Sequence, residues 1–116
     1  MNFNNETFFK MLSDNTRLRA LMLMQRKGEL CVCELTHALN LSQPKISRHL
    51  AQLREHNVVE TRREGKWMYY RINPTLPEWA LAVLRETLSG IGESGQFALD
   101  FRSVIEMKKQ TSECCV

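Results

Sequence analysis

The stretch Leu41–Glu55, "LSQPKISRHLAQLRE", decides how the rest of the chain is read. Ser42 offers an N-cap oxygen, and Pro44 falls in the first turn, where a missing N–H does no harm. Ile46, Leu50 and Leu53 recur at helical spacing and predict one buried stripe. Near the start of the helix, the side away from that stripe holds Pro44, Lys45, Ser47 and Arg48, with Gln43 beside the cap. Gln and Ser can address base edges, and Arg can pair bidentately with guanine. Lys45 and Arg48 could equally hold phosphates, which positions a protein without reading sequence. Any solvated helix shows a polar face, so the neighbouring segments must decide.

Upstream, "GELCVCELTHAL" (Gly28–Leu39) predicts a third helix over about Leu30–Leu39, with Val32, Leu35 and Leu39 on its apolar side. The short turn "NLS" then joins two helices in the manner of a helix-turn-helix. Downstream, "VVETRREGKWMYYRI" (Val58–Ile72) changes period and reads as a β-hairpin around a charged tip. Arg62, Arg63 and Lys66 would lie along it, towards the minor groove or the backbone, while Trp67, Tyr69 and Tyr70 suit packing of the hairpin. His49 and His56 flank the core or touch DNA.

Two helices precede this unit. "NNETFFKML" (4–12) has Phe8, Met11 and Leu12 on one side; Ser13 and Asp14 can cap "NTRLRALMLMQRK" (15–27), which Gly28 ends. "LPEWALAVLRETL" (76–88) resumes helical spacing, "SGIGESG" (89–95) reads as a hinge, and "QFALDFRSVIEMKK" (96–109) reads as a last helix before the tail "QTSECCV". The expected fold is mainly α with a β-hairpin, a winged helix-turn-helix in the order α-α-α-α-β-β-α. Residues 1–92 form the expected DNA-binding and dimerisation domain, and residues 93–116 a C-terminal helix and tail ending in a vicinal cysteine pair.

Composition agrees with a single globular domain: 116 residues, 43% hydrophobic and 25% charged. The net charge of +3 is unevenly spread, since residues 42–71 carry seven basic and three acidic side chains. A basic region of this kind suits a phosphate backbone as partner. "MNFNNETFFK" has a glutamate where a signal peptide would be basic and then apolar, so the expected location is the cytoplasm. In that reducing compartment, four cysteines arranged as C-x-C and C-C pairs point to free, metal-bound or redox-active sulfurs rather than to cross-links. The absence of a βαβ pattern and of a catalytic constellation argues against an enzyme.

Taken together, "LSDNTRLRAL", "GELCVCEL", "LSQPKISRHLAQLRE" and "RREGKWMYYRI" resemble the ArsR/SmtB metalloregulatory repressors, and most closely the arsenical-resistance repressors. The resemblance covers roughly residues 7–85. It implies a homodimer that binds double-stranded operator DNA without a cofactor and releases it when metal binds, with residues 4–12 and 76–89 pairing across the dimer axis. It makes Cys31 and Cys33 the thiolates that take the inducer. Related Cd/Pb sensors add cysteines from an N-terminal extension, whereas no cysteine precedes Cys31. Zn sensors add ligands on the last helix, whereas no histidine follows His56. Both differences favour a trivalent inducer, As(III) or Sb(III), over the alternatives of a Cd/Zn-responsive or thiol-redox-responsive repressor on the same fold.

In the arsenical repressors a third cysteine follows the second by three residues; here that position is Thr36. Three readings stay open: Cys114 or Cys115 supplies the third sulfur, a small thiol or solvent fills the place, or two thiolates suffice. His37, four residues after Cys33, has zinc-like spacing and is equally an ordinary solvated helix residue. The C-x-C spacing itself poses a problem. On a regular helix, residues two apart face nearly opposite sides, so one metal held by both sulfurs would have to bend the start of that helix.

Overall fold

The computed structural model describes residues 3–106. Helix α1 (Asn5–Leu12) opens where the Asn4 side chain accepts from the Thr7 amide at 2.9 Å. Helix α2 (Asn15–Lys27) opens on Asp14, which accepts from the Thr16 and Arg17 amides at 2.8 and 3.1 Å. It closes at Gly28, whose φ of 91° suits glycine. Ala20 to Met24 are buried in succession, so α2 is the central helix, covered on more than one side.

The third helix starts later than the apolar spacing predicts. Leu30 and Cys31 form a short strand, β1, and α3 spans Val32–Leu39. Leu30 pairs with Tyr70 and Cys31 with Tyr69, so their backbone groups belong to a sheet and the helix begins only once the chain has left it. Asn40, at φ 55°, ends α3.

Helix α4 (Gln43–Glu55) begins as its sequence indicates, on Ser42 with Pro44 in the first turn. Ile46, Leu50 and Leu53 are each 1% exposed or less. They seat α4 against α2, α3 and the following strand. The hairpin consists of β2 (Val59–Glu64) and β3 (Trp67–Ile72), paired from Val59–Ile72 to Glu64–Trp67. Its two-residue connection places Gly65 at φ 63°, as tight hairpins favour. With β1 the sheet is three-stranded, antiparallel, in the order β1-β3-β2.

Helix α5 (Glu78–Ile91) runs into the segment expected to be a hinge, and the turn follows it. At Gly92 an added Cβ would lie 2.6 Å from the Leu88 side chain and carbonyl oxygen, so this close turn requires glycine. Helix α6 (Gly95–Glu106) folds back on α2 and α3 and adds Val104 to the core. The arrangement is mainly helical with a winged hairpin, and no helix among the described residues is long and apolar enough to cross a membrane.

Candidate nucleic-acid interface and cysteine pair

Helix α4 presents its first turns to solvent. Gln43, Pro44, Arg48 and Ala51 are exposed, and Lys45 and Ser47 half-buried. Arg48 lies nearly opposite the Ile46–Leu50–Leu53 stripe, so burying that stripe aims the guanidinium outward. The candidate base-reading and phosphate-binding residues of the helix therefore share one outer face, with one exception. His49 turns towards α2, 15% exposed, with Nε2 4.0 Å from Asp14 and Nδ1 3.3 Å from Arg17. Burial lowers the His49 pKa from 6.5, with the positive charges of Arg17, Arg48 and Lys45 adding to it and Asp14 opposing. For Asp14, burial works upward, but the Arg17 amide, the charges of His49 and Arg17 and the Thr16 amide outweigh it and hold the carboxyl below its ordinary value.

The wing places Arg62, Arg63 and Lys66 on an exposed edge. Their settings differ. Lys66 lies over the Trp67 ring at 5.6 Å. Arg62 is tethered: it forms an ion pair with Glu29, a second with Glu64 at 3.5 Å, and covers the Tyr69 ring at 4.9 Å. That hydrogen bond from Arg62 is the main reason the Glu29 carboxyl lies below its ordinary range. Glu29 immediately precedes β1, so one wing arginine is joined to the strand that carries Cys31.

The two cysteines sit at the strand–helix junction. Cys31 is 3% exposed, extended at ψ 166°, and forms the N-cap of α3. Its amide donates to the Glu34 carboxylate at 2.9 Å, half of a reciprocal capping arrangement between the two residues. Cys33 is half-buried in the first turn, and His37 is exposed one turn beyond it. The expectation that both cysteines ride on one regular helix is thereby corrected: Cys31 lies outside α3, so the opposite-sides argument does not hold for this pair. Burial raises the Tyr69 pKa first, with the carboxylates of Glu34 and Glu64 adding to it and Arg62 opposing, and Tyr69 is the cross-strand partner of Cys31. Two sulfurs are a soft donor set of the kind thiophilic ions select. Among the described residues no group of three or more His, Cys, Asp or Glu side chains is arranged to hold a metal ion. Cys114 and Cys115 lie outside the described residues.

Sequence patterns gave no sign of Arg17, Gln52 or Glu29, because each acts through partners distant along the chain. No local spacing signals such contacts.

Residues 14–61 match the family described as "Bacterial regulatory protein, arsR family". The chain is 62% identical over 77 residues to the arsenic resistance transcriptional regulator ArsR1 of Pseudomonas putida, a match covering 66% of this chain and 60% of that one. It is 50% identical over 108 residues to ArsR2 of the same organism, covering 92% of this chain and 94% of the relative. Its fold is similar to the crystal structure of the AntR antimony-specific transcriptional repressor, with a TM-score of 0.63 at 32% identity over 76% of this chain and 77% of that one. The chain belongs to the ArsR family of bacterial regulatory proteins and is a DNA-binding transcriptional repressor of the arsenical-resistance type rather than an enzyme.

Proposed function

We propose that a homodimer of this chain works in the cytoplasm, binds a two-fold symmetric operator, and lets go when As(III) or Sb(III) bonds to Cys31 and Cys33. The observation that carries this reading is the position of Cys31, which is both the N-cap of α3 and the β1 partner of wing strand β3. A ligand can shift DNA binding only by preferring one conformation. Drawing the Cys31 sulfur to a metalloid disturbs the reciprocal cap with Glu34. It also pulls on the seat of α4 through α3 and on the wing through β3. Both DNA-facing elements are thus within reach of one chemical event.

Gln43, Lys45, Ser47 and Arg48 are the proposed contacts from α4, with Arg62, Arg63 and Lys66 from the wing. His49 joins them in this proposal only at the flank of α4, given its inward turn. The dimer is supported by an apolar patch on α1 and α5: Phe9 is 50% exposed and Trp79 41%, and their rings stack at 6.0 Å. All these elements lie within residues 1–92; residues 93–116 add α6 and the Cys114–Cys115 pair, and a third sulfur from that pair, a small thiol or solvent in the third place, and a site of two thiolates all remain open. His37, exposed near Cys33, is the other candidate ligand. The Cd/Zn and redox alternatives have less support, since a relative 50% identical over 92% of this chain is an arsenic resistance regulator.

The deciding experiment follows operator binding by the reduced protein during titration with arsenite, antimonite, Cd(II) or peroxide. Release by the two metalloids, abolished in Cys31→Ser and Cys33→Ser variants that still bind DNA, is the expected result. Release by Cd(II) or peroxide alone would replace the metalloid reading.

A further inference from the structure

Arg17 lies in the first turn of α2, and its guanidinium serves three elements at once. Nε donates to the Met11 carbonyl at 2.8 Å and Nη2 to the Lys10 carbonyl at 3.1 Å. Both carbonyls belong to the last turn of α1, and that of Lys10 also accepts from the Ser13 amide at 3.2 Å and hydroxyl at 2.7 Å, so Arg17 joins Ser13 in capping this end. From the same group, Nη1 donates to Gln52 Oε1 at 2.8 Å and lies 3.3 Å from His49 Nδ1. His49 and Gln52 are one turn apart on the flank of α4, between its buried stripe and its outer face. Asp14, which caps α2 beneath Arg17, also faces His49.

We infer that Arg17 is a positioning residue for operator recognition, fixing the rotation of α4 relative to α1 and therefore relative to the two-fold axis of the dimer. This inference rests on the operator-binding dimer proposed above and adds the part that sets its geometry. The buried stripe of α4 alone permits some rolling, because Leu and Ile contacts are non-directional. Hydrogen bonds from a planar guanidinium fork are directional, and a lysine ammonium cannot reproduce them. One such fork holds the end of the helix that carries Phe9 and the flank of the helix that carries Arg48. In a dimer, a small roll of α4 changes the separation and tilt of the two recognition helices, which must meet half-sites about one DNA turn apart. The contact thus governs half-site spacing more than affinity for either half-site alone.

The test uses the full chain and a duplex that the wild-type protein selects from a randomised library, together with versions one base pair longer and shorter between half-sites. Arg17→Lys keeps the charge and removes the fork; Gln52→Ala removes the α4 anchor and leaves Arg17 in place. In both variants, affinity for the selected duplex is expected to fall by about ten-fold, in line with the loss of one or two charge-assisted bonds. Preference for the native spacing should flatten, and single half-site affinity should stay within about two-fold. The slope of binding against salt should be unchanged, because no phosphate contact is lost. Wild-type spacing preference in Gln52→Ala overturns the inference even if Arg17→Lys proves unfolded by circular dichroism. A shallower salt slope in Arg17→Gln overturns it too, by making Arg17 a phosphate contact. If the wild-type protein selects no duplex, the operator reading itself fails, and the role of Arg17 falls with it.

Discussion

Asp100 on α6 meets Arg19 on α2 with both carboxylate oxygens, Oδ1 2.7 Å from Nη2 and Oδ2 2.8 Å from Nε, in a pair 1% and 10% exposed. The same Arg19 also donates to the Leu39 carbonyl at 3.1 Å, at the C-terminal end of α3, and Gln96 supports Asp100 from one turn earlier on α6. One bidentate pair therefore joins α6 to the end of α3 farthest from Cys31. Removing one partner leaves an uncompensated buried charge. Asp100→Ala is expected to cost about 3–5 kcal/mol in urea unfolding, whereas Arg19→Met with Asp100→Leu should recover most of that loss. Equal losses in the single and double variants would show that shape, and not charge, holds α6 in place.

That pair also shows where sequence reading stops. α4 was legible because a serine cap, an early proline and an apolar stripe occupy a few consecutive turns, and the hairpin because period two meets a glycine tip. Arg19 and Asp100 are 81 residues apart, and on a helix each looks like a solvated charge. β1 has only two residues, too short for any periodicity, so the apolar spacing of Val32, Leu35 and Leu39 is extended backwards over it. The end of α5 lies beyond the expected hinge boundary for a different reason. Gly90 costs a helix only about 1 kcal/mol relative to alanine, which the packing of α5 overrides, and the chain turns at Gly92, where a side chain would strike Leu88.

With Arg62 a DNA contact as proposed, its ion pair with Glu29 would compete with the phosphate backbone. The pair is partly exposed, 44% and 33% on its two side chains, so its own contribution to stability is small. Glu29→Gln should leave unfolding nearly unchanged. It should strengthen operator binding by about two- to five-fold, the range of an exposed ion pair released to a phosphate. A weaker complex would mean that Glu29 aims Arg62 at the DNA instead of withholding it.

Phe9 and Trp79 make the dimer prediction specific. Their stacked rings are among the large apolar groups left exposed, and Phe8 and Phe3 back them at centroid distances of 5.3 to 5.6 Å. Phe9→Glu places a charge in the patch without disturbing the buried Phe8. Sedimentation should show a monomer with wild-type circular dichroism, and affinity for a two-half-site duplex should fall by at least about 100-fold as the second half-site's contribution is lost. A dimeric Phe9→Glu protein would move the interface elsewhere.

His49 gives stability a pH dependence of determinate sign. Burial lowers its pKa in the folded protein below the ordinary 6.5, with Arg17, Arg48 and Lys45 acting in the same direction and Asp14 against. Between the folded value and 6.5 the unfolded chain binds more protons, so stability rises with pH across that window. The contribution is fully present above pH 6.5 and is lost as the solution is acidified through the window. Asp14 acts further down, because its lowered carboxyl contributes stability above its ordinary 3.8 that disappears only as pH falls below that value. Urea midpoints from pH 7.5 to 5 should therefore fall for the wild type and fall less for His49→Gln, which cannot take up the proton. Parallel curves for the two proteins would show that protonated His49 is accommodated between Asp14 and Arg17 at no cost, with the Asp14 carboxylate outweighing burial.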